Sequence, residues 1–101
     1  MQKFTFTFSK KGAMKYISHL DLMRLFMRAF RRAGLPVKIT EGFNPHPKLS
    51  IKRALKLGIE SENEEATIIL RDYTEPLLFK EALRQQLPTG IEIKHVERNF
   101  S

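Results

Sequence analysis

The sequence of 101 residues contains no cysteine. This absence excludes disulfide bonds, thiolate nucleophiles, zinc–thiolate sites and iron–sulfur clusters held by the chain's own side chains. A long apolar run is also missing, and the first residues alternate polar and apolar side chains, which is not the pattern of a signal peptide or a membrane span. We therefore predict one cytoplasmic domain over residues 1–101, with no membrane contact and no cofactor.

The usual catalytic motifs are missing as well. The sequence has no glycine-rich phosphate loop, no nucleophile with a base at a recognisable spacing and no cluster of metal ligands, so we assign no catalytic residue. His19, Asp21 and His46 could form a metal site with two histidines and one carboxylate, or an acid–base pair. A helix-capping aspartate and two partly exposed histidines are the alternative.

Positive and negative charges are unevenly distributed. The formal net charge is +7, but residues 1–58 hold 13 Lys and Arg against two acidic residues, whereas residues 59–101 hold 5 against 9. A basic half of a small domain is typical of a surface that meets phosphate, anionic lipid or an acidic partner. A solvated charged surface without a ligand is the alternative.

The N-terminal segment has the pattern of a β-strand. Phe4, Phe6 and Phe8 alternate with polar residues, as in a half-buried strand rich in aromatic side chains. Exposed aromatics on such a strand could stack on RNA bases. We favour a core role for the three phenylalanines, because the other face already supplies the polar side chains that a solvated surface needs.

The next segment predicts an amphipathic helix. Ser18 and Asp21 have the spacing of an N-terminal cap, and Gly34 followed by Pro36 ends the pattern. The apolar stripe consists of Leu22, Leu25, Phe26, Ala29, Phe30 and Ala33. This stripe is expected to face the core.

The opposite face of this helix carries Arg24, Arg28 and Arg31 at helical spacing, with Arg32 beside them. The row has no acidic partners at those spacings, and the planar guanidinium suits phosphate. We predict an RNA- or anion-binding surface comprising Arg24, Arg28, Arg31, Arg32, Lys48, Lys52 and Arg53. Solvated helix surface is the alternative interpretation.

The remaining elements predict a ferredoxin-like fold. We expect a short edge strand over 36–40, a strand through Leu55, Leu57 and Ile59, a hairpin turn at 61–64, and a strand over 66–71. A helix is expected after Thr74, with Leu77, Phe79, Leu83 and Leu87 on its apolar side, and a last strand through Ile91, Ile93 and His95. This order is βαββαβ, an antiparallel sheet with two helices on one face and a proline-rich loop insertion. A fragment of a larger α+β domain is the alternative.

The loop insertion is the segment Gly42-Phe43-Asn44-Pro45-His46-Pro47. Proline fixes φ and disfavours helix at the preceding residue, so Asn44 and His46 are expected in a stiff loop. We predict that this loop meets the start of the first helix. The candidate site comprises Ser18, His19, Asp21, Phe43, Asn44 and His46, and the helix N-terminus would make it an anion pocket.

Three motifs in this order resemble the radical-SAM-linked domain of unknown function. They are Ser18-His19-Leu20-Asp21-Leu22, the run from Arg28 to Pro36, and Gly42 to Pro47 with Ser50; the resemblance is strongest over residues 3–61. Members of that family are fused to, or encoded beside, radical SAM proteins, sometimes with a cobalamin-binding part, and also lie near ribonuclease E/G-type proteins. The resemblance implies an accessory role, with a radical SAM protein as partner.

Three functional hypotheses follow. The first is an accessory module that binds tRNA or rRNA, because the basic half supplies phosphate contacts and Phe43 and His46 could stack on an unpaired base. The second is an adaptor that docks on a radical SAM enzyme. The third is an enzyme that uses His46 and Asp21 as acid–base residues.

Overall fold

Residues 2–43, 47–53 and 57–99 are described by the computed structural model. Along the chain the elements are β1 (Gln2–Lys10), a 3-10 helix (Gly12–Tyr16), α1 (His19–Arg32), β2 (Leu49–Ile51), β3 (Ser61–Leu70), α2 (Pro76–Arg84) and β4 (Ile91–Asn99). The strands form an antiparallel sheet in the order β2-β3-β1-β4. The predicted ferredoxin-like α+β arrangement is confirmed.

The phenylalanines of β1 lie in the core. Phe4, Phe6 and Phe8 are fully buried, and Phe4 stacks on Phe79 of α2 with ring centroids 4.6 Å apart. Phe6 meets Phe26 of α1 edge to face at 5.5 Å. Both helices therefore pack on the aromatic face of β1. The core role predicted for these rings is confirmed, and they are not available for stacking on a ligand.

Helix α1 forms as its sequence predicts. The Ser18 hydroxyl accepts a hydrogen bond from the Asp21 amide at 3.1 Å, which satisfies one free amide of the first turn. Gly34 adopts a φ of +71°, which glycine tolerates at the end of a helix. The stripe is buried at Leu22, Phe26, Ala29 and Phe30, whereas Leu25 and Ala33 are half-buried.

The centre of the chain differs from the prediction. The segment 61–64, expected as a hairpin turn, is the start of β3. The strand Leu49–Ile51 pairs with residues 66–68, further along β3. Leu57 and Gly58 lie in a turn, and Leu55 lies outside the described residues. Glu64 continues the inward-facing alternation of Ala66, Ile68 and Leu70. The polar composition of residues 61–64 favoured a turn, because a strand there places the Glu64 carboxylate on the core side of the sheet.

The expected edge strand over 36–40 is present only as two isolated bridges, Val37 with Leu70 and Ile39 with Pro47.

Helix α2 has Glu75 as its N-cap residue and proline at its first position, as the sequence indicated. Phe79 and Leu83 are buried, but Leu77 is exposed, which corrects its assignment to the apolar side. Strand β4 runs to Asn99, beyond the expected end near His95.

No helix within the described ranges combines the length and the apolar character needed to cross a membrane.

Candidate functional site

The proline-rich segment leaves the sheet between two paired positions. Ile39 forms an antiparallel bridge with Pro47, and the Lys48 amide donates to the Lys38 carbonyl at 3.1 Å. The backbone of Ile69 in β3 bonds to both lysines, accepting from Lys38 at 2.8 Å and donating to Lys48 at 3.2 Å. Both ends of the segment are therefore fixed to the edge of the sheet.

Phe43 lies within this segment and is fully exposed. Exposing an aromatic ring forgoes the stabilisation that burial would supply. A ring placed in this way is suited to contact a ligand or another macromolecule. Asn44 and His46, the other predicted residues of the loop, lie outside the described part of the chain.

A groove lies beside the base of the loop. Its volume is about 570 Å³, and it is lined by Met27, Arg28, Arg31, Gly34, Leu35, Pro36, Val37, Ile39, Pro47 and Arg71. Apolar side chains form most of the surface, and three guanidinium groups belong to the lining. The groove thus combines an apolar surface with positive charge.

Arg71 lines this groove, but the sequence analysis did not include it among the anion-binding residues. Its amide donates to the Pro36 carbonyl at 2.9 Å, which holds the residue after β3 against the segment that leaves α1. The signal available in the sequence is its place directly after the strand that ends at Leu70. That Arg71 and Arg31 line one groove depends on how β3 pairs in the sheet, and the sequence analysis predicted the bounds of this strand but no register.

The predicted arginine row lies on the surface of α1. Arg24, Arg28, Arg31 and Arg32 are all exposed. Arg24 lies 3.5 Å from Asp21, so the expectation that the row has no acidic partner is wrong for this residue. Within the described ranges, the other three arginines have no salt bridge within 4.0 Å of an acidic side chain.

Arg28 and Arg32 also line a second cleft, of about 520 Å³, between the C-terminal ends of the two helices. The other side of this cleft is formed by residues 85–88, which include Gln85 and Gln86. Arg28 thus lies between the groove and the cleft. A negatively charged chain crossing α1 at this point would meet guanidinium groups on both sides.

The structure does not bring the other predicted cations into the groove. Lys52 lies 3.7 Å from Glu65, and Arg53 makes two hydrogen bonds to Glu64. Lys48 is exposed but does not line the groove. A phosphate-binding role for these three residues stays a prediction.

Glu64 is the centre of a buried polar cluster. Hydrogen bonds from Arg53 hold the pKa of Glu64 below its ordinary value, against the opposing effect of burial, with help from the Ser61 hydroxyl and the charge of Lys10. Burial lowers the pKa of Lys10, and the negative charge of Glu64 opposes that shift. These contacts fix residues 52–53 against β3. The cluster explains how a charged residue is accommodated on the core side of the sheet.

At the start of α1, the structure places Ser18, His19 and Asp21 in one helical turn. Ser18 is occupied as the cap, and the exposed Asp21 carboxylate is directed towards Arg24. His19 is half-buried, and its Nδ1 atom is buried with no hydrogen-bond partner among the described residues. The predicted anion pocket shared with His46 stays a prediction.

The open face of the sheet is mostly polar. From β1 it presents Lys3, Thr5 and Thr7, from β3 Glu65, Thr67 and Ile69, and from β4 His95, which pairs with Thr7. Over the described strands this face has no phenylalanine or tyrosine, since the rings of β1 face the helices. Stacking of bases on the sheet, the mode of many RNA-binding α+β domains, has no phenylalanine or tyrosine platform on the described strands.

The described residues also include no group of three or more His, Asp or Glu side chains placed to hold a metal ion. The sequence model described as "Uncharacterized protein conserved in bacteria (DUF2344)" matches residues 3–100. The chain belongs to the DUF2344 family. A comparison with curated proteins finds no match.

The DUF2344 match extends well beyond the segment from which the sequence resemblance was drawn. It includes α2 and β4 as well as the motifs at the start of α1 and in the loop. The family description states no ligand or activity.

Proposed function

We propose that this DUF2344 domain is an accessory RNA-binding module that acts on tRNA or rRNA. The observation that carries the proposal is the convergence of Arg28, Arg31 and Arg71 on one apolar groove. Arginine binds phosphate through a planar fork of donors and stacks on bases through the same plane. RNA supplies both phosphates and apolar ring faces, so it matches both properties of the groove.

The location of the charges supports the same ligand. Arg28, Arg31 and Arg32 lie on an exposed helix face without described acidic partners, so phosphate contacts there would not require breaking existing salt bridges. Phe43 adds a fully exposed ring at the neighbouring loop. Cationic side chains combined with an exposed aromatic are the usual elements of binding to unpaired nucleotides. The polar open face of the sheet directs the proposal to the α1 side of the molecule.

The partner that the sequence resemblance suggests is a radical SAM enzyme, to which the module would present its RNA.

A second candidate function, an adaptor that docks on such an enzyme, is favoured by a separate observation. The Gly58 amide donates to the Lys15 carbonyl at 2.7 Å, which places Leu57 and Ile59 beside the exposed Tyr16. These exposed apolar side chains form a patch that lies apart from the residues of the groove.

RNA binding is tested by titrating labelled tRNA and single-stranded RNA into the purified chain at several salt concentrations. Binding through phosphates predicts affinity that falls with salt, with a log–log slope of about −0.7 for each phosphate neutralised on a single strand. Cross-linking in cells, followed by sequencing, identifies the RNA. Absence of binding at low salt contradicts the proposal. Recovery of a radical SAM enzyme from ribonuclease-treated extract would then favour the adaptor.

A further inference from the structure

We infer that the groove beside α1 holds one unpaired RNA base, with its flanking phosphates on Arg28, Arg31 and Arg71. The inference deepens the proposed RNA binding and rests on it. It assigns the groove to an unstacked nucleotide and not to the backbone of a duplex.

The shape and rigidity of the groove support this assignment. Leu35 and Val37 line it and also pack against the hydrophobic core. Their backbone is fixed, since the Leu35 amide donates to the Phe30 carbonyl at 3.2 Å and the Val37 amide donates to the Leu35 carbonyl at 2.8 Å. The volume of about 570 Å³ lies within the range of small-molecule sites. The apolar surface is thus preformed and large enough for a nucleotide.

The arrangement of charge also supports this assignment. Two arginines of the lining come from α1, and the third is the residue after β3. Of the acidic residues in the described ranges, only Asp72 forms a salt bridge within 4.0 Å to a groove arginine, at 3.6 Å from Arg71 in an exposed pair. Exposed pairs of this kind contribute little, so Arg71 is free to exchange its carboxylate for a phosphate. An apolar surface with cations from two elements fits a ring that has a phosphate on each side.

The groove does not fit double-stranded RNA as well as it fits a single strand. In an RNA duplex the ring faces are covered by their stacked neighbours, and the surface presents phosphates, hydroxyls and base edges. Such a ligand could use the arginines but would leave the apolar surface of Ile39, Val37 and Met27 in contact with water. The groove therefore predicts a preference for single strands that charge alone does not give.

The experiment compares two probes on the full chain by fluorescence anisotropy. One is a labelled oligouridylate of about 12 nucleotides, within the site sizes of single-strand binders, and the other is an RNA duplex of equal length. We expect the single strand to bind roughly tenfold more tightly at the same salt concentration. Ile39→Ser, which removes apolar surface from the groove, should weaken single-strand binding roughly tenfold and leave duplex binding unchanged.

Ile59→Ser is the matched control, because Ile59 is similarly exposed, at 58% against 43% for Ile39, but does not line the groove. Ile59→Ser should bind both probes as the unchanged chain does. Ile39→Ser and Ile59→Ser should both keep the melting temperature of the unchanged chain. Should Ile39→Ser lose stability, Met27→Gln serves as the second variant, because Met27 also belongs to the apolar lining of the groove; it should weaken single-strand binding and leave duplex binding unchanged.

The outcomes separate the inference from the proposal beneath it. Equal binding of the two probes, or single-strand binding that Ile39→Ser leaves intact, overturns the base site while RNA binding stands. Failure of both probes to bind at low salt overturns the RNA-binding proposal, and the base site with it. If the unchanged chain co-purifies with a radical SAM enzyme from ribonuclease-treated extract and Ile39→Ser does not, the groove binds a protein, and the inference is also overturned.

Discussion

The guanidinium of Arg53 donates two hydrogen bonds to the carboxylate of Glu64, from Nε to Oε2 at 3.0 Å and from Nη2 to Oε1 at 2.6 Å. The Glu64 side chain is 2% exposed, whereas that of Arg53 is 71% exposed. The pair therefore joins a carboxylate on the core side of β3 to a cation at the surface. It fixes the end of β2 against β3 and occupies a cation that the sequence had assigned to RNA.

This pair makes stability depend on pH. Because the pKa of Glu64 is lowered in the folded chain, the unfolded chain takes up a proton more readily, and stability falls as the pH drops below about 4.3 and through the folded pKa. Glu64→Gln should lower the free energy of unfolding at pH 7 by about 1–3 kcal/mol and weaken this acid dependence. Urea unfolding between pH 3 and 7 measures both. Glu65→Gln is the control, because Glu65 lies on the open face of the sheet and only a weak surface contact with Lys52 at 3.7 Å is lost; it should change the stability less.

Phe26 is expected to be essential for folding. It is fully buried, with its ring centroid 5.0 Å from that of Phe8 and 6.2 Å from that of Phe30. Truncation to alanine removes these contacts and leaves a cavity, so Phe26→Ala should cost about 3–5 kcal/mol. Phe43→Ala is the contrasting variant, since its exposed ring has little packing to lose. It should keep the melting temperature of the unchanged chain and weaken only RNA binding. A loss under about 1 kcal/mol at Phe26 contradicts its place in the core.

The position of the arginines, and not the net charge, should determine RNA affinity. Arg28→Glu with Arg31→Glu leaves the core untouched, so the melting temperature should stay nearly the same. If each arginine neutralises one phosphate, the salt slope for a single strand should become shallower by about 1.4. Lys80→Glu with Arg84→Glu on α2 changes the net charge equally and should retain most of the slope. Equal effects of the two double variants would mean that binding follows net charge alone.

Gly90 is expected to resist substitution. It adopts a φ of +102°, and an added Cβ atom would lie 2.6 Å from the Lys11 carbonyl oxygen and 2.8 Å from Cγ of Met14. The contact is between two backbone segments, since the Lys11 amide donates to the Gly90 carbonyl at 2.8 Å. Gly90→Ala should cost about 1–3 kcal/mol or more. Gly12→Ala, with a φ of +59° and open space around the added atom, should cost less. Thermal unfolding of the two variants gives the comparison.

The sequence by itself determined the elements whose signals are local. The Ser18 cap, the apolar stripe through Phe26 and Phe30, and the stop at Gly34 lie within a few residues of the backbone they control. The alternation of Phe4, Phe6 and Phe8 likewise specified β1 and its buried face. These patterns, taken in order along the chain, were sufficient for the ferredoxin-like fold, because connection rules leave few ways to arrange such elements.

Only the tertiary structure decided the centre of the chain and the groove. The polar run at 61–64 has the composition of a turn. It forms a strand because Arg53, eleven residues from Glu64 in sequence, compensates the charge of the buried carboxylate. The groove joins side chains from α1, the segment after it, Pro47 and Arg71, and no local pattern records which of these meet. The register of β3 in the sheet determines which residues meet, since a shift in its pairing with β1 would bring a residue other than Arg71 to the end of α1.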